Sequence, residues 1–300
     1  MSIAADRVAL RYVIFGGPTA AGKTELAMRI AEAHDTEIVS ADAFQVYEGL
    51  DLLSAKPSRQ QRERVPHHLI GIVPLTWPYD ARQYGEHARE AIARVNRAGK
   101  VPLVVGGTGF YLQALTSRLP DLPAPDSALR ARLGTMSHDE LVKQLYTLDP
   151  HGFTRIDLRN PRRVLRAVEV CLQTGKPFSS FAVTPEGTPP SFVLVRSRAE
   201  LQQRVNQRVE EMFAQGVVEE VAAAGQVGPT ASRMIGFDLI SDLLAGRISA
   251  TECVRAIQQQ TRQYARRQET WFRGRSYAPV TPGEAAATVS RALAAARPAL

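Results

Sequence analysis

The sequence predicts an α/β fold in which helices flank a parallel sheet and a mostly helical domain interrupts the core. Short apolar strands alternate with helices over the first 119 residues, and a glycine-rich loop joins the first strand to the first helix. Prolines become frequent after Leu119, and helical signals follow there without strands. We therefore predict a P-loop NTPase-like core in residues 1–119, a helical insertion in 120–190, and completion of the core with C-terminal helices in 191–300.

The core elements follow from apolar runs that end at glycine or polar residues. The predicted strands are 12–15, 37–40, 101–105 and 192–195. The predicted helices are 20–33 and 81–98, the second closed by Gly99.

The insertion is read from its helix signals. Pro120 opens a linker, and Ser137 with Glu140 forms a capping-box pattern. Asn160 followed by Pro161 marks the start of a second helix, which stops near Gly175. Residues 184–190 read as a loose stretch, and the chain from 199 onward reads as mainly helical, including a capped helix over 249–273.

Composition narrows the class of protein. The 300 residues are 44% hydrophobic and 22% charged, which is typical of a globular chain. The formal charge is +7, and 32 of the 37 basic residues are arginine; a GC-rich genome and a phosphate-binding surface both explain this. The cysteines, Cys171 and Cys253, form no CxxC pair, so zinc and disulfide frameworks are not expected. The apolar run 8–15 is too short for a signal peptide and no run is long enough to span a membrane, so we expect a cytoplasmic protein.

The glycine-rich loop carries the strongest single motif. It matches G-x-x-x-x-G-K-[ST] in the residues Gly17, Pro18, Thr19, Ala20, Ala21, Gly22, Lys23 and Thr24. Its position between a strand and a helix predicts that backbone amides and the helix N-terminus bind a diphosphate or triphosphate. Lys23 is expected to neutralise phosphate oxygens and Thr24 to bind Mg²⁺.

The residues after the third predicted strand argue against the usual nucleotide chemistry. That strand ends in Gly106, Gly107 and Thr108, without the carboxylate that commonly holds Mg²⁺ beside ATP or GTP. The acid closest to any predicted strand end is Asp42. A bound pyrophosphate group is therefore favoured over a nucleotide, while a small-molecule kinase remains an alternative.

Two helices carry arginines on one face. A helical wheel places Arg162, Arg163 and Arg166 opposite an apolar face, which indicates an RNA backbone as partner or a merely solvated surface. Helix 249–273 carries an arginine stripe that suits pyrophosphate or RNA phosphates, and a membrane surface is the weaker alternative. That stripe consists of Arg255, Arg262, Arg266 and Arg273. The pair at 67–68 is not expected to chelate a metal, because adjacent imidazoles rarely converge on one ion.

Eight stretches, in order along nearly the whole chain, resemble the bacterial-type tRNA dimethylallyltransferases. They are Gly-Pro-Thr-Ala-Ala-Gly-Lys-Thr (17–24), Ser-Ala-Asp-Ala-Phe-Gln-Val-Tyr (40–47), Ala-Lys-Pro (55–57), Pro-His-His-Leu-Ile (66–70), Val-Gly-Gly-Thr-Gly-Phe-Tyr (105–111), Asn-Pro-Arg-Arg-Val-Leu-Arg-Ala-Val-Glu-Val (160–170), Thr-Gly-Lys-Pro (174–177) and Thr-Arg-Gln-Tyr-Ala-Arg-Arg-Gln (261–268). Together these motifs are far more specific than the phosphate loop alone.

The resemblance implies transfer of a dimethylallyl group from dimethylallyl diphosphate to N6 of adenosine 37 in tRNA. It assigns the loop to the diphosphate, Asp42 to the general base and Thr108 to the reaction centre, and it gives the insertion to the anticodon stem-loop. The residues that it implies at the tRNA are Asp42, Ala43, Phe44, Gln45, Thr108, Arg130, Arg162, Arg163, Val164, Leu165 and Arg166. Arg262 and Arg266, on the last long arginine helix, are expected to bind the diphosphate with Mg²⁺.

Three positions depart from the family pattern. Ala43 stands where serine is common, Ser54 where threonine is common, and Gly71 where aspartate often occurs. A non-catalytic RNA-binding module is a further alternative, but it leaves the loop and Asp42 unexplained. A monomer is the expected oligomeric state.

Overall fold

The chain folds around a parallel β-sheet in a computed structural model that describes residues 10–181 and 183–297. Within that part of the chain the strands are β1 (Val13–Gly16), β2 (Ile38–Ala41), β3 (His67–His68), β4 (Leu103–Gly106), β5 (Ser117–Arg118), β6 (Thr184–Pro185), β7 (Ser191–Leu194) and β8 (Ala278–Val280). Six of them form one sheet in the order β3-β2-β4-β1-β7-β8, and every neighbouring pair is parallel. The predicted α/β fold class is therefore confirmed.

Helices connect these strands. They are α1 (Lys23–Ala33), α2 (Arg59–Arg64), α3 (Ala81–Arg97), α4 (Gly109–Thr116), α5 (Ser127–Gly134), α6 (His138–Leu148), α7 (Pro150–Phe153), α8 (Pro161–Thr174), α9 (Arg198–Ala214), α10 (Val217–Ala222), α11 (Phe237–Leu244), α12 (Ala250–Arg273) and α13 (Pro282–Ala296). Short 3₁₀ turns occupy Phe178–Ser180 and Ala231–Arg233.

The chain divides into two compact units. The core unit comprises residues 1–116 and 187–300, and the insertion unit comprises residues 117–186. The predicted insertion, 120–190, begins three residues and ends four residues later than this unit. Inside the insertion unit, β5 and β6 pair antiparallel and α6 packs against α8 around a small apolar cluster.

The core unit buries its central strands on both faces, as parallel sheets usually do. Val13 and Phe15 of β1 are fully buried, and they share an apolar cluster with α1 and α13 through Ile30 and Val289. Helices α3 and α4 pack together, with the rings of Tyr84 and Tyr111 stacked at 4.2 Å. Because the central strands are held this firmly, the loops at their carboxyl ends stand on a rigid base.

Sequence patterns located most elements but missed the sheet edges. The four predicted strands form within one or two residues of their expected ends, whereas β3 and β8 of the core sheet were not predicted. The short β5–β6 pair was not predicted either, and β6 lies in the stretch 184–190 that was expected to be loose. Strands β3 and β8 are short edge strands, and β8 contains Pro279, which an edge tolerates because one side of the strand needs no partner. The predicted run 8–15 begins with two residues that lie outside the described part of the chain.

The helix caps agree with prediction except at the first helix. Capping boxes begin α6 at Ser137 and α12 at Ser249, and α8 begins after Asn160 and ends at Gly175 with φ 66°. Helix α1 begins at residue 23 and not at 20, because the left-handed backbone of the preceding loop cannot belong to a helix. Among the described helices, none has the length and apolar character that a membrane crossing requires.

Candidate active site

The loop between β1 and α1 has the geometry of a phosphate-binding turn. Ala20 and Gly22 have positive φ angles of 62° and 92°, so the chain folds back on itself before α1 begins. The first amides of α1 then point out of the helix end without partners inside the helix, which is the arrangement that binds anions.

Lys23 lies over this loop. Its Nζ donates hydrogen bonds to the carbonyl oxygens of Gly17 at 2.8 Å and Pro18 at 2.7 Å. Burial lowers the pKa of Lys23 to about 8, Asp42 opposes that shift, and the guanidinium of Arg208 adds to it. An anion that enters the loop therefore meets a partly buried ammonium group that gains from a negative partner.

A cavity of about 480 Å³ opens in front of the loop and brings together residues from distant parts of the core unit. It is lined by Thr19, Ala20, Gly22, Lys23, Thr24, Asp42, Gln45, Ser54, Lys56, Arg204, Arg208 and Gln268, among others. Most of the predicted loop residues, together with Asp42 and Gln45, thus face one space.

Asp42 follows β2, and its carboxylate is oriented by the turn that it begins. Oδ1 accepts hydrogen bonds from the backbone N–H groups of Phe44 at 2.9 Å and Gln45 at 3.4 Å. These bonds orient the carboxylate and leave Oδ2 as the oxygen that can take a proton from a ligand.

Thr108 follows β4, the strand beside β2 in the sheet. Its Oγ1 accepts a hydrogen bond from the N–H of Ala43 at 3.0 Å, and its own N–H donates to the carbonyl of Ala41 at 3.2 Å. The turns that carry Asp42 and Thr108 are therefore fixed to each other, and both lie at the carboxyl edge of the sheet, where open α/β sheets place their ligands.

The arginines at the cavity come from a helix that the sequence analysis did not single out. On α9, Arg204 donates from Nε to the carbonyl of Ala20 at 2.7 Å, and Arg208 donates from Nη1 to Oγ1 of Thr19 at 3.1 Å. Burial lowers the pKa of Arg208, and the nearby carboxylate of Asp42 raises it, but a guanidinium stays charged at neutral pH. The i, i+4 spacing of Arg204 and Arg208 could have indicated from the sequence that both lie on one face of a helix.

The arginines predicted for the diphosphate lie elsewhere. Arg262 and Arg266 of α12 line a separate small groove against α9, together with Arg198, and Arg262 donates to Asn206 at 2.7 Å. The structure does not place them at the phosphate loop. A helical wheel shows which residues share a face, but the packing of α12 on α9 decides what that face meets.

A second, smaller pocket adjoins the cavity. It shares Thr19, Asp42, Ser54 and Arg208 with the cavity, and its remaining walls are largely apolar. They include Phe44, Leu53, Val209, Met212, Met234, Ile235 and Ile257. Tyr264 also lines this pocket, and burial raises the pKa of its phenol to about 12, so the hydroxyl stays protonated at neutral pH.

In the insertion unit, the predicted tRNA-facing residues of α8 divide into two groups. Arg162 and Arg163 are exposed, whereas Val164 is fully buried and Leu165 packs against the same apolar cluster. The side chain of Val164 therefore cannot contact RNA, which corrects that part of the prediction. On the helical wheel Val164 falls on the apolar face of α8, and this face packs against the core of the insertion unit.

Arg166 is not on a free surface either. Its Nη1 donates to Glu169 at 2.6 Å and its Nη2 to the carbonyl of Pro123 at 2.6 Å. Arg130 binds both oxygens of the same carboxylate at 2.9 and 3.0 Å. The Glu169 side chain has no exposed surface, and although burial opposes it, hydrogen bonds from the two arginines hold its pKa below the ordinary value. Arg166 thus joins a structural ion cluster, which the wheel alone did not reveal.

Metal ligands of the His and Cys type are not assembled in the described residues, where no group of three or more His, Cys, Asp or Glu side chains converges. The adjacent histidines have protein partners, because Nδ1 of His67 binds the carbonyl of Val65 at 2.7 Å and Nε2 of His68 binds Glu37 at 2.6 Å.

A parallel sheet whose first strand leads into a phosphate-binding loop defines a P-loop protein of the NTPase-like fold. Its candidate carboxylate, Asp42, follows β2, which is separated from β1 by β4 in the sheet. The chain belongs to the IPP transferase family, whose family model matches residues 45–275. A second family model, described as isopentenyl transferase, matches residues 10–67.

Known relatives cover most of the chain. The tRNA dimethylallyltransferase of Deinococcus radiodurans is 41% identical over 93% of this chain and 95% of its own length. That of Akkermansia muciniphila is 39% identical over 87% of this chain and 90% of its own length. The crystal structure of tRNA delta(2)-isopentenylpyrophosphate transferase from Staphylococcus epidermidis aligns with a TM-score of 0.63 at 31% identity, covering 90% and 93% of the two chains. These relatives lend no support to the kinase alternative.

Proposed function

We propose that this protein transfers the dimethylallyl group of dimethylallyl diphosphate to N6 of adenosine 37 in tRNA and releases diphosphate. The observation that carries the proposal is the junction of two pockets, in which a phosphate loop with Lys23 opens beside an apolar pocket and Asp42 borders both. A diphosphate joined to a branched five-carbon chain needs this pairing of environments. The names of the relatives point to the same reaction.

The phosphate loop would hold the diphosphate by its amides and the N-terminus of α1. Lys23, Arg204 and Arg208 border the position of the leaving group, where negative charge develops as the carbon–oxygen bond breaks. Arg204 and Arg208 are held at the loop by hydrogen bonds to Ala20 and Thr19, which fixes their guanidinium groups next to that position.

The reaction on this chain's residues is a substitution at the allylic C1. The N6 amine attacks C1, the C1–O bond breaks, and its electron pair leaves with the diphosphate. N6 gives up one proton, which Oδ2 of Asp42 is positioned to accept. Thr108 would position the adenine edge, because its hydroxyl is held next to the turn that begins at Asp42.

Mg²⁺ fits the donor set of this cavity. The ion prefers oxygen ligands, uses few from the protein and keeps several waters beside a phosphate. Thr24 lines the cavity at the start of α1, and its hydroxyl would hold the ion against the diphosphate. When bound, Mg²⁺ supplies further neutralisation of the leaving group.

The tRNA would reach the site with adenosine 37 turned out of the anticodon-loop stack. Residues 42–45 and Thr108 would meet the base and its neighbours, and exposed Arg162 and Arg163 of α8 would hold the RNA backbone. Arg130 would add a contact through Nη1, which Glu169 does not occupy, whereas both terminal nitrogens of Arg166 are already bonded within the insertion unit. A monomeric, cytoplasmic enzyme completes the proposal.

The test is incubation of the purified protein with Mg²⁺, labelled dimethylallyl diphosphate and unmodified tRNA, followed by nucleoside mapping. We expect label on N6 of adenosine 37 and none on a tRNA that carries guanosine there. Parallel reactions with ATP should show neither a requirement for ATP nor its hydrolysis. Phosphate release from ATP stimulated by tRNA, without prenylated nucleoside, would overturn the proposal in favour of a kinase-like activity.

A further inference from the structure

A buried glutamine connects the two halves of the candidate site. Gln268 of α12 is 5% exposed, and its Oε1 accepts a hydrogen bond from the backbone N–H of Thr19 in the phosphate loop at 2.8 Å. Its Nε2 donates to the carbonyl of Gly107 at 2.8 Å. One amide side chain thus joins the turn after β1 to the turn after β4, each through backbone atoms.

The fit around this amide is tight. A Cβ built on Gly107 would lie 2.3 Å from Nε2 of Gln268, so only glycine lets the strand end approach it. The next residue is Thr108, whose hydroxyl is bonded to the turn that begins at Asp42. The position of the amide therefore sets the spacing between the loop and the Thr108 turn.

The same helix makes a second contact with this region. Tyr264 lies one helical turn before Gln268, and hydrogen-bonding interactions with the side chains of Thr108 and Gln268 partly offset the effect of burial on its phenol pKa. The two α12 side chains occupy one face of the helix and contact the turns that carry the proposed reaction centre. Tyr264 and Gln268 are both uncharged, and the proposed reaction uses neither as an acid or a base. They would therefore act by holding the two turns in position.

We propose that Gln268 is a positioning residue that fixes the distance between the diphosphate half-site and the acceptor half-site. This inference rests on the proposed function, because it concerns the alignment of C1 of the donor with N6 of the acceptor. A backbone-to-backbone bridge of this kind adds little to the binding of either substrate alone. It governs how often both are aligned when bound, and a misplacement of about 1 Å costs on the order of 100-fold in rate.

Two variants separate positioning from binding. Gln268→Met keeps the length of the side chain and removes both hydrogen bonds, and Gln268→Leu removes both bonds with a shorter apolar side chain, so neither variant adds a charge beside the diphosphate cavity. In both we expect kcat for tRNA prenylation to fall about 10- to 100-fold, while the KM for tRNA and the Kd for inorganic pyrophosphate change by less than about threefold. Gln263→Met is the matched control, since Gln263 is an exposed glutamine of the same helix, and it should behave as wild type.

The outcomes are distinguishable. A kcat within about twofold of wild type in both Gln268 variants overturns the inference and leaves the proposed function standing. A loss of pyrophosphate affinity as large as the loss of kcat also overturns it, because Gln268 would then act through donor binding. Thermal melting identifies a Gln268 variant that fails to fold. The kinetics of the other Gln268 variant then test the inference. Absence of prenyl transfer by the wild-type protein overturns the proposed function together with this inference.

Discussion

Asp42 shows at the scale of one residue how a backbone turn orients a carboxylate. Its Oδ1 is bonded to two backbone N–H groups, so the direction of the other oxygen is set before any substrate binds. Such a carboxylate needs no reorganisation to receive a proton, which is the requirement of a general base.

We predict that Asp42→Asn retains the fold and tRNA affinity but loses about 10²- to 10⁴-fold in kcat, because an amide accepts the same backbone bonds and cannot accept the proton from N6. Single-turnover prenylation with saturating tRNA measures the loss. Asp238→Asn, which removes one exposed acid from the first turn of α11, is the charge-matched control. Retention of more than about a third of the wild-type kcat would show that Asp42 is not the base.

Lys23 gives a pH prediction of defined sign. Its pKa is lowered to about 8 by burial in the free protein, and a bound diphosphate favours the ammonium form and raises that pKa again. Lys23 should therefore contribute proton uptake to the binding of inorganic pyrophosphate near pH 8.5, and its contribution to affinity should decline as pH rises above about 8.

Calorimetry in two buffers of different ionisation enthalpy measures this uptake. Lys23→Met, which keeps the length of the side chain and removes the titrating group, should bind pyrophosphate more weakly and lose the part of the uptake that Lys23 supplies. An uptake equal to that of wild type in the variant would assign the proton to another group.

Helix α8 shows at the scale of an element why a helical wheel is not a surface map. All three arginines lie opposite its apolar face, but the fold leaves Arg162 and Arg163 exposed and ties Arg166 to a buried carboxylate. The arginine face is thus partly an RNA-binding candidate and partly the structural anchor of the insertion unit.

We expect Arg162→Ala combined with Arg163→Ala to leave the Tm nearly unchanged and to weaken tRNA binding. The slope of log affinity against log salt should fall by about 0.7–0.9 for each RNA phosphate that the variant no longer neutralises. Filter binding over a range of salt concentrations measures both quantities, and an unchanged affinity and slope would make this face solvated surface only.

Arg166→Ala should behave differently. It leaves the fully buried carboxylate of Glu169 with Arg130 as its remaining arginine partner, so we expect a loss of about 1–3 kcal/mol in the stability of the insertion unit. Hydrogen exchange of the α8 amides localises that loss. Amide protection equal to wild type would show that the ion pair between Arg166 and Glu169 is dispensable.

At the scale of the whole molecule, a ligand that binds only the folded protein must stabilise it. Inorganic pyrophosphate at about 100 times its Kd should add about 2.7 kcal/mol to the unfolding free energy of the unit that binds it. Because the phosphate loop belongs to the core unit, the rise in Tm should appear in the unfolding of that unit and be smaller in Lys23→Met at the same pyrophosphate concentration. Equal stabilisation of wild type and variant by pyrophosphate would place the anion elsewhere.

Several local features of the fold and the candidate site could be predicted from short stretches of the sequence. The strand, the loop from Gly17 to Thr24 and the helix that follows are neighbours in sequence, so their local geometry already specifies a phosphate site. The caps at Ser137, Asn160 and Ser249 were equally predictable, because a cap depends on bonds that span three residues. Asp42 stood out for the same reason, as the acid at the end of a recognisable strand.

The tertiary structure decided which distant side chains meet those local features. Arg208 and Gln268 reach Thr19 across 189 and 249 residues of sequence, and no periodicity along the chain encodes such a pairing. The packing of α12 on α9 directs Arg262 into a different groove, although its helix and its face were predicted correctly. Spacing along a helix determines which residues lie together on one side, whereas the partner of that side is set by how helices and sheet pack, which is a property of the whole chain.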